Sequence, residues 1–212
     1  MRFYLAPKNR VLPLVSVAAI VVLALIGLGS PSAQSRIIDS ASPADRDWCA
    51  EATSLAFPKT PASGKLRGQA FTVETAAILG KKLMLRQGKD FFANHEIEIY
   101  FRTEDLEGKS FSVSPTDDMF HSFNIISSLC SPGQTAPSMD TINKGYGLRI
   151  QFGKRQGNLL PGWIVLRLPD PEHSYVQGYF YASPDYIPPG TTKRIGKNSW
   201  IKDSTAPPLK PH

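Results

Sequence analysis

Between Leu66 and Ala182 apolar residues recur at every second position in short runs, and Gly, Pro, Asp and Asn separate the runs. A period of two places successive side chains on opposite faces of an extended chain, so each run reads as a strand with one face in a core. In 95–101 (HEIEIYF) Ile97, Ile99 and Phe101 point one way and Glu96, Glu98 and Tyr100 the other. In 146–152 (YGLRIQF) the apolar set is Tyr146, Leu148, Ile150 and Phe152, with Arg149 and Gln151 outward. Further runs occupy 66–75, 83–86, 109–114, 162–168 and 174–182, while 119–127 carries apolar residues on both faces. Only 50–57 (AEATSLAF) suits a helical turn or two. About eight strands with turn residues between them predict an all-β domain over 48–182, a single β-sandwich or jelly-roll-like barrel.

The last two runs predict a hairpin across Pro169–His173. Its expected register sets Gly162 against Phe180, Ile164 against Gly178 and Leu166 against Val176 on one face. The other face sets Trp163 against Tyr179, Val165 against Gln177 and Arg167 against Tyr175, and Tyr181 extends the row. Flat rings on a sheet can stack on sugar rings or bury a partner's side chains, with Arg and Gln supplying hydrogen bonds. Trp163, Arg167, Tyr175, Gln177, Tyr179 and Tyr181 are therefore the candidate binding residues for a glycan or an envelope protein. The competing expectation is that this face packs under another part of the chain, because aromatic cross-strand pairs are common in sheets.

Residues 11–29 (VLPLVSVAAIVVLALIGLG) carry no charge and follow a short stub, 1–10, with Arg2, Lys8 and Arg10. Positive charge before an apolar run keeps the stub in the cytoplasm and sends the rest across the membrane. The run would be about 28 Å long as a helix, enough for a hydrocarbon core of about 30 Å. Two outcomes stay open: a retained anchor with the domain on the extracytoplasmic side, or a cleaved signal that releases a secreted or periplasmic protein. Residues 30–47 are small, polar and Pro-containing and read as a stalk; 183–212, with six prolines, read as a flexible basic tail.

Export changes the meaning of Cys49 and Cys130. An even number of cysteines in an oxidising compartment suggests one disulfide, for which the chain-entropy account gives about 4–5 kcal/mol at this loop length. Two free thiols are the alternative. The 24 Lys and Arg exceed the 18 Asp and Glu, but the excess lies in 1–33 and 183–212, and the stretch between is neutral. A nucleic-acid partner needs bases clustered on the domain, so none is expected.

Chemistry-bearing motifs are missing from the sequence: there is no G-x-S-x-G, no H-E-x-x-H and no complete phosphate loop before Gly108-Lys109-Ser110. No cofactor or metal is called for. His95 shares parity with Ile97 and Ile99, and His121 with Phe123 and Ile125, so two imidazoles converging near strand ends are the one catalytic or metal arrangement on offer. Glu96 and Glu98 read as a solvated strand face.

Trp48-Cys49, Gly64-Lys65 through Phe71, Glu107-Gly108-Lys109, Tyr146-Gly147-Leu148, and Leu160-Pro161-Gly162 through Pro169-Asp170 to Ser174-Tyr175-Val176 and Gly178 give the chain its punctuation. In these residues it resembles uncharacterised exported bacterial proteins of β-sandwich type. The resemblance implies the fold class and brings no activity or functional residue with it. Three functions remain in play: binding at the envelope, an enzyme with a site near His95 and His121, and a structural envelope component.

Overall fold

The computed structural model describes residues 35–38 and 41–187, together with the backbone of 192–195 and 199–202. The predicted helix over 11–29 and its stub lie outside the described residues. Among those described, no helix is long and apolar enough to cross a membrane.

The protein is all-β, as the alternation predicts, with one short helix. Twelve strands, and not eight, join in one hydrogen-bonded sheet. They are β1 (Ser35–Ile38), β2 (Ser63–Leu66), β3 (Gln69–Thr72), β4 (Thr75–Leu79), β5 (Lys82–Gln87), β6 (His95–Tyr100), β7 (Ser110–Val113), β8 (Asn124–Leu129), β9 (Ser138–Ile142), β10 (Gly147–Phe152), β11 (Leu160–Arg167) and β12 (Tyr175–Ser183). Helix α1 (Pro43–Ala50) continues into a turn of 3-10 helix, Glu51–Thr53. A separate pair, β13 (Thr192–Ile195) with β14 (Ser199–Lys202), forms an antiparallel ladder within the stretch expected to be an irregular tail.

The sheet runs in the order β1-β9-β8-β6-β5-β4-β12-β11-β10-β7, with β2 and β3 branching from β12. Strand β12 is where it turns. Its first half pairs with β2 at Tyr175–Gln177, and its last residues, Ala182 and Ser183, pair in parallel with Ala76 and Ala77 of β4. The β4–β9 arm thus leaves β12 in another direction from the β2–β3 hairpin, and the sheet curls over its own inner face. Ile97, Ile99, Ile125 and Ile142 of one arm share a single core with Leu148, Ile150, Ile164, Leu166 and Val176 of the other. Each such fully buried side chain contributes about 1.5–3 kcal/mol relative to exposure.

The two ends of this core differ. One is aromatic: Phe101, Phe111, Phe123 and Phe152 meet with ring centroids 5.1–6.5 Å apart. The other is polar. There buried Asp140 of β9 accepts two hydrogen bonds from Arg36 of β1, at 2.8 and 2.7 Å, and lies 3.4 Å from the Arg67 guanidinium.

Five strands escape a parity reading. The run 66–75 is in fact a hairpin, because Arg67 and Gly68 both take positive φ, 49° and 81°, and reverse the chain in two residues. Such a turn ordinarily carries Asn-Gly or Asp-Gly. Here tertiary bonds hold the Arg: its amide donates to Ser174 Oγ (2.7 Å) and its guanidinium to Ser138 Oγ (2.6 Å). β4 (TAAIL) is rich in alanine, a poor strand former. β9 (SMDTI) is polar at alternate positions because its inward Asp140 is paired inside the fold. β1 falls within 30–47, the stretch read as a stalk, and α1 starts there too.

Helix α1 has a local signature that the stalk reading passed over. Ser42 caps it and Asp45 bonds back in a complete capping box, with Pro43 in the first turn. By contrast, the apolar start of 119–127 is no strand: Met119 and Phe120 are exposed, and β8 begins only at Asn124.

Candidate functional site

The β11–β12 register is the one expected of the hairpin, with Trp163 opposite Tyr179, Val165 opposite Gln177 and Arg167 opposite Tyr175. The outer face of this pair is divided in two by the segment 43–62, which crosses it. At one end α1 covers the row. Arg167 lies 3.8 Å from the centroid of the Trp48 ring and binds the Glu51 carboxylate. Tyr175 meets the same indole edge-on at 6.3 Å, and His173 stacks on it at 5.1 Å. Val165 has outward parity and is nevertheless buried beneath this cover.

The segment then runs along the sheet. Arg149 of β10 donates to Leu55 O at 2.8 Å and sits 4.6 Å over the Phe57 ring. Past Phe57 the chain drops to backbone contact: Tyr179 N donates to Thr60 O at 2.9 Å and Ala62 N to Tyr179 O at 2.8 Å. Gly178, at φ +129°, permits that approach, since a Cβ there would stand 2.5 Å from Thr60 O.

Beyond the segment the face is open. Trp163, Tyr179 and Tyr181, with Lys59, Pro161, Gly162 and Phe180, line a shallow depression of about 180 Å³. Tyr179 and Tyr181 stand edge to face at 6.1 Å. Gln151 of β10 is paired with Trp163 and exposed, so it flanks the depression with an amide. Of the six predicted residues, then, Trp163, Tyr179 and Tyr181 share one concave surface, Arg167 and Tyr175 serve the packing of Trp48, and half-buried Gln177 lies between. Lys59 and Pro161 complete the surface. Lys59 had no sequence signal, because it arrives from a loop more than a hundred residues away in the chain; Pro161 shares the parity of Trp163 and faces Tyr181, one residue before the run 162–168.

The other predicted constellations come apart. Cys49 and Cys130 are free thiols and form no disulfide. Cys49 is fully buried in α1, its carbonyl against Gly147 of β10, and burial pushes its thiol up to about 12. Cys130 follows β8 at the polar end, its thiol directed at Gln134 O. The two stand on different elements, Cys49 within α1 and Cys130 just after β8. His95 and His121 likewise do not converge: β6 and β8 run antiparallel from the His95–Leu129 pair to Tyr100–Asn124, so they lie off opposite ends. His95 is buried, bonded to Gln69, and held below its ordinary value by burial and by Arg67. His121 is exposed and bonded 2.7 Å to Asp118. No group of three His, Cys, Asp or Glu able to hold a metal occurs among the described residues.

The carboxylates on the outer face of β6 are less solvated than parity suggests. Glu98 accepts from Lys82 and from Tyr100, and Glu96 lies 3.5 Å from Arg86, whose side chain is buried. Burial holds the Glu96 carboxyl at about 6, with Arg86 pulling it down and Glu98 pushing it up. Folding therefore favours its protonated form. The contribution is present in full below pH 4.5, its ordinary value, and is lost as pH rises through about 6. About 2 kcal/mol is at stake. A thermal-melt series should show stability falling between pH 4.5 and 6.5, and Glu96→Gln should flatten that window; an unchanged slope would remove Glu96 as its source.

Comparison with protein-family models, with curated proteins and with solved structures finds no match to the chain.

Proposed function

We propose that the protein is a non-catalytic binding module of the cell envelope that recognises a glycan through the depression of Trp163, Tyr179 and Tyr181, and that residues 11–29 tether it with the domain on the extracytoplasmic side. The observation that carries this reading is the placement of three aromatic side chains and one lysine around a single open concavity, next to a stretch of the same sheet that the chain covers. Rings fixed on adjacent strands offer a stacking surface at little entropic cost, and Lys59 and Gln151 can supply hydrogen bonds at the rim. The fold reading that accompanies it is a jelly-roll-like β-sandwich in which one curled sheet supplies both layers.

The test is cosedimentation of the purified full chain with peptidoglycan sacculi and with envelope polysaccharide. Trp163→Ala and Tyr179→Ala should each weaken binding about tenfold or more, as central aromatic contacts do, while the melting profile stays near that of the parent. Binding indifferent to both substitutions would overturn the glycan reading. Retention by a polysaccharide-free protein fraction, lost in the same variants, would replace it with a protein partner at the same face.

A further inference from the structure

The strand register sets four outward side chains in one row across the sheet. Tyr179 of β12 is level with Trp163 of β11, Trp163 with Gln151 of β10, and Gln151 with Ser110 of β7. Gln151 and Ser110 are exposed, and among the described residues no strand follows β7, so the row reaches the edge of the sheet. Three strand intervals make it about 14 Å long. Its chemistry changes along the way, from aromatic rings on β12 and β11 to an amide on β10 and a hydroxyl on β7. The depression described above takes in only the aromatic half.

Beside the row the sheet surface is low. Two residues on along each strand, Tyr181 is level with Pro161, Gly153 N donates to Pro161 O at 2.9 Å, and Gly108 N donates to Gly153 O at 3.1 Å. Pro161 is buried and the two glycines have no side chain, so a trough runs from Tyr181 out to β7. The half-buried indole of Trp163 leans over it: a Cβ at position 153 would stand 3.5 Å from Cζ3 of the ring and 3.8 Å from Cη2. Past Gly153 and Pro161 the strands give way to the turn 154–159, where exposed Arg155 pairs with Glu107 and exposed Asn158 donates to Asp185. Hydrogen-bonding groups therefore stand on both banks of the trough, with an aromatic platform between them.

We propose that the whole trough is the binding site and that it takes a linear glycan laid across the strands, with consecutive sugar rings against Tyr179 and Tyr181, on Trp163, and beside Gln151 and Ser110. The proposal rests on the glycan reading above and adds to it the length and the direction of the chain that is bound. Length is the first support: a row of about 14 Å spans about three linked pyranose rings. The order of chemistries is the second. A pyranose shows an apolar face of C–H groups and a rim of hydroxyls, so one ring stacks on the indole while the next, nearer the edge, needs hydrogen-bonding partners. The Gln151 amide and the Ser110 hydroxyl are exposed there and, among the described residues, bonded to nothing else. Direction is the third, because an extended peptide added to the sheet would run along β7 and this row runs across it.

The test repeats the cosedimentation of the purified full chain with sacculi and with envelope polysaccharide, adding competitors cut from the same polymers by partial acid hydrolysis and sized from single sugars to hexasaccharides. Competition should strengthen about tenfold or more from the single sugar to the trisaccharide, as flanking contacts join the central one, and should level off beyond it. Gln151→Ala and Ser110→Ala should each weaken the trisaccharide about threefold or more, the worth of a hydrogen bond, and leave the single sugar unchanged. Ser112→Ala, on the same strand but level with Arg149 and outside the row, should change neither. Polymer binding that depends on Trp163, with the single sugar competing as well as the trisaccharide or with Gln151→Ala and Ser110→Ala both silent, would overturn the extended site and leave the glycan reading standing. Polymer binding that is absent or indifferent to Trp163→Ala would overturn the glycan reading, and the extended site with it.

Discussion

Gly147→Ala should cost about 3 kcal/mol or more, the upper range for forcing extra volume into a packed site. A Cβ at this position would stand 1.8 Å from Cys49 O and 2.9 Å from Ala52 Cβ. The first neighbour is backbone, so no side chain can rotate aside, and α1 would have to lift from β10. For a chain of this size such a loss lowers the melting temperature by about 6–12 °C. Lifting α1 also uncovers the far half of the outer face, since Trp48 is what packs on Arg167 and Tyr175. Differential scanning calorimetry measures the first effect, and iodide quenching of Trp48 fluorescence in a Trp163→Phe, Trp200→Phe background measures the second. A variant that melts with the parent would show that the helix has room to move.

Asp140→Ala is expected to cost about 3 kcal/mol, in the range for leaving a buried charge without its partner. Asp140 is nearly inaccessible and holds two guanidiniums, of which Arg67 is mostly buried and Arg36 half exposed. The loss falls mainly on Arg67; the Arg36 side is partly screened by water. It is local in consequence, because Arg36 is the clamp that keeps edge strand β1 on β9. Amide exchange at Ile37 and Ile38 should accelerate in Asp140→Ala well beyond that at Ile97 or Ile164. Uniform acceleration would mean that β1 opens only with the whole sheet.

Alternation alone located β6, β7, β10, β11 and β12, and the short loop between the last two added a hairpin whose expected register is the one observed. Those strands bury one face and wet the other, so their side chains carry the period-two signal in full. The candidate site was legible to the extent that it lies on such a hairpin: Trp163, Tyr179 and Tyr181 share parity and stand on neighbouring strands. The capping box at Ser42 and Asp45 was also there to be read, and would have moved the start of the folded domain back into the presumed stalk.

The rest belongs to tertiary structure. Arg67 takes a left-handed turn conformation only because Ser174, Ser138 and Asp140 hold it, and no local preference announces that. Asp140 looks like a surface residue until two arginines from β1 and the β2–β3 turn reach it. Whether an outward aromatic is covered or open depends on where the segment 43–62 lies. That path is set by Arg149, Gly147 and Gly178, contacts between residues about a hundred positions apart. What the sequence determined by itself was the all-β class and the face each side chain of its alternating strands would show, because these follow from the pleat of an extended chain. Which strands meet, which half of the aromatic face stays open and which end of the sheet receives the chain were decided by long-range packing, because a period of two is the same on every strand and names no partner.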